Sequence, residues 1–160
     1  MVIGYLTNVY ARASDTFIRN EVRELRRRGH TVHTFSVRRR SEDGPVGDEV
    51  RQEQESTEYI LGAGAWRLVC SVIAAACRRP LAMLAACALA WSTRPVGIRG
   101  GVWQAAYLVE AAHVARRVDR LGVEHMHVHI PVGAGTVGML AAKLAGVSWS
   151  FTIHGPMIFY

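Results

Sequence analysis

Over residues 124–129 apolar and polar side chains alternate strictly, so His125, His127 and His129 share one face of an extended chain and Met126 and Val128 the other. That pattern predicts a strand. Pro131, Gly133, Gly135 and Gly138 then lead into Val137, Leu140, Ala141 and Leu144, an i, i+3, i+4, i+7 stripe that predicts a helix rising from a glycine-rich turn. Gly146 supplies a left-handed stop, and the β-branched, aromatic run at 149–153 predicts a second strand. The unit is strand, helix, strand. In such units the strands run parallel, and open α/β sheets bind ligands at the strands' C-terminal edge. His129 and His154 are expected at two of those strand ends.

The start of the chain repeats the scheme. Residues 2–7 predict a first strand, 8–14 a loop, and Ser14 or Asp15 an N-cap for a helix whose apolar stripe is Ile18, Val22 and Leu25. Gly29 ends it behind Arg26, Arg27 and Arg28, whose charges suit a helix C-terminus, and 31–37 predicts the next strand. Residues 38–56 read as a polar, mobile surface loop, and 57–61 as a short strand. Two apolar runs at 65–93, broken at Arg78, Arg79 and Pro80, read as two helices, each too short to cross a bilayer. They either pack on the sheet or offer an apolar face to a membrane. After a connection at 93–101, a helix is expected over 102–121 with Tyr107, Ala111, Val114, Val118 and Leu121 inward and Gly122 as its cap. Tandem units of this kind predict an α/β fold with a Rossmann-like, doubly wound parallel sheet.

Composition narrows the class. A chain of 160 residues, 50% hydrophobic and 20% charged, is the size and make-up of one globular domain. Cys70, Cys77 and Cys87 lie at helical spacing in one apolar segment, which reads as reduced packing residues. No basic leader with a long apolar core opens the chain, so a cytoplasmic protein is expected, with attachment to the inner face of the plasma membrane as an addition. Residues 1–64 hold ten basic and ten acidic side chains, and residues 65–160 nine basic against three acidic. The whole net charge of +6 therefore lies in the part that also holds the apolar helices. That pairing suits an anionic membrane surface, although arginines that merely solvate the surface give the same count; no nucleic-acid-binding pattern accompanies it.

Three features carry candidate chemistry. A helix N-terminus at Ser14, Asp15 and Thr16 presents backbone N–H groups and a positive dipole end, to which Arg12 adds charge. His154 is placed to donate to a sugar or phosphate, or else to a neighbouring backbone carbonyl. His125, His127 and His129 have the i, i+2 spacing of metal ligands, but without a neighbouring CxxC, HExxH or paired carboxylate, so hydrogen bonding is the expectation and no metal is assigned. A dinucleotide-dependent oxidoreductase is disfavoured, since the first strand is not followed by GxGxxG.

Two segments, ASDTFIRNEVRELRRRGHTVHTFSVR at 13–38 and LGVEHMHVHIPVGAGTVGMLAAKLAGVSWSFTIHG at 121–155, carry a family resemblance. Together they resemble the N-terminal domain of family 4 glycosyltransferases, nearest the branch of exopolysaccharide and colanic-acid-type synthesis. Ser14, Thr16 and Phe17 match its first motif, His127 and His129 its His-x-His strand, and Ser150, Phe151, Thr152, His154 and Gly155 its third motif. Asp15 stands where the family has glutamate, and Met157 where one form of the third motif has aspartate. The resemblance implies the N-terminal half of a GT-B fold, whose acceptor-side domain faces a nucleotide-sugar-binding domain across a cleft. It implies a retaining, metal-independent transferase that moves a sugar from a nucleotide-sugar to a cell-surface polysaccharide or lipid-linked acceptor. Under it, His154 is the catalytic candidate, and Ser14, Asp15, Thr16, His127, His129, Thr152 and Gly155 bind substrate. The glutamates that hold the donor belong to the second domain, so residues 1–160 are expected to act as a fragment without transfer activity of their own. The alternative is a noncatalytic, membrane-peripheral α/β binding module.

Overall fold

The computed structural model describes residues 1–10, 16–39, 47–129 and 133–153. Its strands are β1 (Val2–Thr7), β2 (Thr31–Ser36), β3 (Glu58–Tyr59), β4 (His125–His129) and β5 (Ser148–Thr152). They form one all-parallel sheet in the order β3-β2-β1-β4-β5. The helices are α1 (Thr16–Arg27), α2 (Asp48–Ser56), α3 (Ala65–Arg78), α4 (Pro80–Ser92), α5 (Ile98–Leu121) and α6 (Ala134–Ala145). The chain winds outward from β1 to β3, crosses back through α5, and continues outward on the other side through β4 and β5. This is the Rossmann-like, doubly wound arrangement expected, and its order reverses between β1 and β4.

Alternation along each strand decides what covers each face. On one face Ile3, Tyr5 and Val32 join Ile18 and Val22 of α1 and Val50 of α2 in a buried cluster. On the other, Leu6, Phe35, Met126 and Val128 meet the stripes of α5 and α6 in the larger core. All four residues of the α6 stripe, Val137, Leu140, Ala141 and Leu144, are buried, and Gly122 and Gly146 sit at positive φ as C-caps of α5 and α6. Gly138 sets how closely α6 lies on the sheet. A Cβ there would come within 2.4 Å of Val128 Cγ2 and 3.3 Å of Leu6 Cδ2.

Four expectations change. The polar stretch at 38–56 contains a helix, α2, tied down by one buried valine and by Glu53, which pairs with Arg26 of α1 and accepts from the Tyr10 hydroxyl at 3.3 Å. Residues 40–46 of that stretch lie outside the described residues. Helix α5 begins at Ile98, four residues ahead of the expected 102, because Gly97 at φ +98° turns the chain into it and Gly100 packs against the Pro95 carbonyl, where no Cβ fits. Helices α3 and α4 pack on α5 and α6, in a layer beyond the one that covers the sheet. All three cysteines are free, but Cys77 and Cys87 are exposed, so only Cys70 is partly packed.

The β3 edge is held by charge. Arg117 of α5 donates from Nε to Glu58 at 2.7 Å, His113 Nε2 lies 3.7 Å from the same carboxylate, and His113 Nδ1 meets the Ser71 hydroxyl of α3 at 3.1 Å. Burial raises the Glu58 pKa, but the bonds to His113 and Arg117 outweigh it and the net shift is downward. His33 is also lowered, first by burial and then by Arg117 and Arg26, with Glu58 opposing. Both groups thus bind protons less readily folded than unfolded, so their stabilisation is full at high pH and lost as pH falls. Glu110, raised by burial, acts in the opposite sense. The urea midpoint should begin to fall as pH drops through the ordinary histidine value of 6.5, and His33→Gln should flatten that first part of the decline. An unaltered curve in the variant contradicts the assignment.

Candidate functional site

Beside the point where the sheet order reverses, β1, β4 and β5 put a row of polar side chains on the face that α1 shares. Register builds the row. Tyr5 is opposite His127, which is opposite Ser150; His125 is opposite Ser148 and His129 opposite Thr152. The side chains of β4 and β5 interlock as a chain of alternating hydroxyls and imidazoles. Ser148 Oγ lies 2.8 Å from His125 Nδ1, and Ser150 Oγ lies 2.8 Å from His125 Nε2 and 2.7 Å from His127 Nδ1. The fourth link sets Thr152 Oγ1 3.2 Å from His127 Nε2.

The chain has a direction. A neutral imidazole donates from one nitrogen and accepts at the other, and a hydroxyl donates once. Ser148 donates to the Glu124 carbonyl at 3.3 Å, so it accepts from His125 Nδ1–H. His125 Nε2 then accepts from Ser150, Ser150 accepts from His127 Nδ1–H, and His127 Nε2 accepts from Thr152. Both histidines are thereby fixed as Nδ1–H tautomers, and every link is satisfied only while they are neutral. Thr152 Oγ1, half-exposed at the strand's C-terminal end, is the acceptor where the chain meets solvent.

Helix α1 closes the other side. Glu21 accepts from the Tyr5 hydroxyl at Oε1, 2.9 Å, and its Oε2 lies 3.2 Å from Nε2 of the buried His129. Burial first, then the bond to Glu21 and the charge of its carboxylate, push the Tyr5 pKa far up, so the phenol stays protonated and donating. The Tyr5 ring stacks on His129 with centroids 5.5 Å apart, His127 stands 4.6 Å from His129, and the half-exposed Phe17 stands 6.2 Å from it. With its side chain 44% exposed, Glu21 is the carboxylate by which this cluster meets solvent. The result is an aromatic and imidazole floor with one carboxylate and one free-standing hydroxyl oxygen on its rim, a surface able to hold a polyol by several hydrogen bonds at once.

Of the residues singled out in the sequence, His127, His129 and Thr152 are brought together here. Thr16 opens α1, about one and a half turns before Glu21, with its hydroxyl 3.4 Å from Arg19 Nη2. Ser14, Asp15, His154, Gly155, Arg12 and Met157 lie outside the described residues. Sequence reasoning missed Glu21 and Tyr5. The signals were present: Glu21 follows Phe17 at i+4, hence on the same face of α1, and Tyr5 shares the Ile3 face of β1. The structure also supplies the carboxylate that the histidine triplet lacked, since Glu21, His127 and His129 each offer a ligand atom within 4.8 Å of the others. A tetrahedral zinc needs edges of about 3.3 Å, and an ion taking His127 Nε2 would displace Thr152. Hydrogen bonding describes the cluster as it stands. Compared with protein-family models, with curated proteins and with solved structures, the chain finds no match.

Proposed function

We propose that this chain is the acceptor-side half of a retaining glycosyltransferase of GT-B type, which passes a hexosyl group from a nucleotide-sugar to a cell-surface polysaccharide or lipid-linked acceptor. The observation that carries the reading is the Glu21, His127, His129 and Thr152 cluster at the C-terminal edge beside the reversal of strand order, the place where open α/β sheets take ligands. Glu21 accepts a hydrogen bond from an acceptor hydroxyl and orients it, Thr152 Oγ1 accepts a second, and the exposed ring of Phe17 receives the apolar face of a pyranose. Tyr5 holds the carboxylate in place from behind, so that little is reorganised when the acceptor arrives.

Transfer breaks the bond between the anomeric carbon and the phosphate oxygen while the acceptor oxygen bonds to that carbon and passes its proton to the departing phosphate. The departing phosphate gains negative charge, and catalysis consists largely of donors placed against it. In this reading Ser14, Asp15, Thr16, His154 and Gly155 are the residues assigned to the donor, whose nucleotide sits on a second domain. His154 is the residue assigned to the reacting sugar and phosphate. The family resemblance supports these roles, and the described cluster supports the acceptor half.

Calorimetric titration of the chain with nucleotide-sugars and with saccharide or lipid-linked acceptors tests the proposal. Acceptor binding without donor binding or sugar transfer is the expected result, weakened in His127→Gln. A folded chain that binds no acceptor at all, or that transfers sugar unaided, contradicts it.

A further inference from the structure

Between Glu58 and Glu110 the chain carries no acidic residue and five arginines, Arg67, Arg78, Arg79, Arg94 and Arg99. The same segment holds most of the exposed apolar surface. Of sixteen exposed large apolar side chains among the described residues, ten lie between Trp66 and Trp103. They are ordered by helix. Trp66, Val69 and Ile73 form an outward i, i+3, i+7 stripe on α3, and Leu81, Leu84 and Trp91 one at i, i+3, i+10 on α4. The opposite side of α4, Met83, Ala86 and Ala90, is buried in the core, so each face of that helix is apolar and only one is covered. Val96, Ile98 and Val102 continue the outward surface into α5, with Ile98 89% exposed.

A soluble helix hides one stripe and solvates the other, whereas here both are hydrocarbon. The charges carried by the segment itself are all of one sign, while Glu58 and Asp119, outside it, engage Arg117 and Arg79. Arg94 lies over the Trp91 ring at 3.5 Å, and Arg67, next to Trp66, lines a cleft of about 710 Å³ with Arg39, Arg117 and Arg120. Arg117 is engaged by Glu58, while Arg67 and Arg120 have no carboxylate partner among the described residues. No single helix among the described residues is long and apolar enough to cross a membrane, and α3 and α4 are bent by 117° at their junction. Apolar stripes with tryptophans, carried on a segment whose own charges are all cations and broken at a sharp bend, fit a surface with hydrocarbon below and phosphate above.

We infer that α3, α4 and the first turns of α5 lie in the interface of an anionic lipid bilayer, with their outward stripes in the acyl region and Arg67, Arg94 and Arg99 at the lipid phosphates. The inference stands on this segment alone and does not rest on the sugar-transfer reading.

Co-sedimentation of the full chain with vesicles of phosphatidylcholine, with and without phosphatidylglycerol, tests it. The chain should pellet with the anionic vesicles, and less so as salt is raised. Leu81→Ser with Leu84→Ser should lower the partition coefficient on the order of tenfold or more, and Arg67→Gln or Arg99→Gln roughly fivefold each. These side chains are exposed, so the urea midpoint should hold. Independently of any variant, lipids brominated in the acyl chain should quench tryptophan fluorescence in the unmodified chain, and phosphatidylcholine vesicles should do so far less. Absence of binding to anionic vesicles by the folded chain overturns the inference. So does binding indifferent to both sets of substitutions, or a dimer without lipid whose interface removes these stripes from water.

Discussion

Replacing Gly138 by alanine lowers the stability of the fold by about 2 kcal/mol, although alanine is the better helix former by about 1 kcal/mol. The added methyl has nowhere to go. It would lie 2.4 Å from Val128 Cγ2, a short, β-branched side chain buried in β4 and unable to swing away. Helix α6 must lift from the sheet or β4 must shift, and both motions loosen the core around Leu6. At this chain length the expected fall in Tm is roughly 4–8 °C. Val128→Ala alone also destabilises, by opening a cavity at the same spot. Because the two changes compensate in volume, the double variant should be more stable than the sum of the single effects by about 1 kcal/mol or more. Simple additivity in that cycle contradicts the close approach of α6 to β4.

Glu21→Gln weakens acceptor binding by roughly 10- to 100-fold, the loss of one or two hydrogen bonds to a charged acceptor. The substitution keeps shape and removes charge. In the free protein it disturbs little, since Tyr5 can still donate to the amide oxygen and the side chain is partly solvated. In the complex it replaces one of two strong acceptors with an N–H that repels the donor of a saccharide hydroxyl. Glu24→Gln, one turn further along α1 and bonded to Arg27 and Arg28 on its outer surface, is the matched control and should leave affinity unchanged. Calorimetry of both variants against the same acceptor reads the difference. Equal affinities for Glu21→Gln and the unmodified chain remove Glu21 from the site.

The elements that bury a stripe were legible in the chain, and the reasons are local. Ile18 and Val22, the α6 stripe and the histidine alternation each have one period and one apolar face, so helix or strand is decided without knowing the partner. Helix α2 was hidden for the opposite reason: Val50 is its one buried residue, and what holds it is Glu53 reaching Arg26 and Tyr10, a contact across 27 and 43 residues of chain. Charges chosen for a distant partner leave no periodic trace.

The candidate site divides in the same way. The histidine face was visible in the strand alternation, and Thr152 was singled out by the family resemblance alone; the register of β4 on β5 is what joins them. Glu21 looked like one more solvated carboxylate in a helix rich in charges, and only the placement of α1 over β1 brings it to His129. The arginine-flanked stripes at 65–93 were legible as apolar helices, but not which side stayed uncovered. That depended on how much of α3 and α4 the helices α5 and α6 have room to bury.

The most direct test of the acceptor site is a long-range ¹H–¹⁵N spectrum of the histidine rings during titration with a saccharide acceptor. In the free protein His125 and His127 should appear as neutral Nδ1–H tautomers, and on titration the signals of His127 and His129 should move together while those of His33 and His113 stay. Movement of His33 or His113 instead, or no movement in a chain that does bind acceptor, places the sugar elsewhere and contradicts the account.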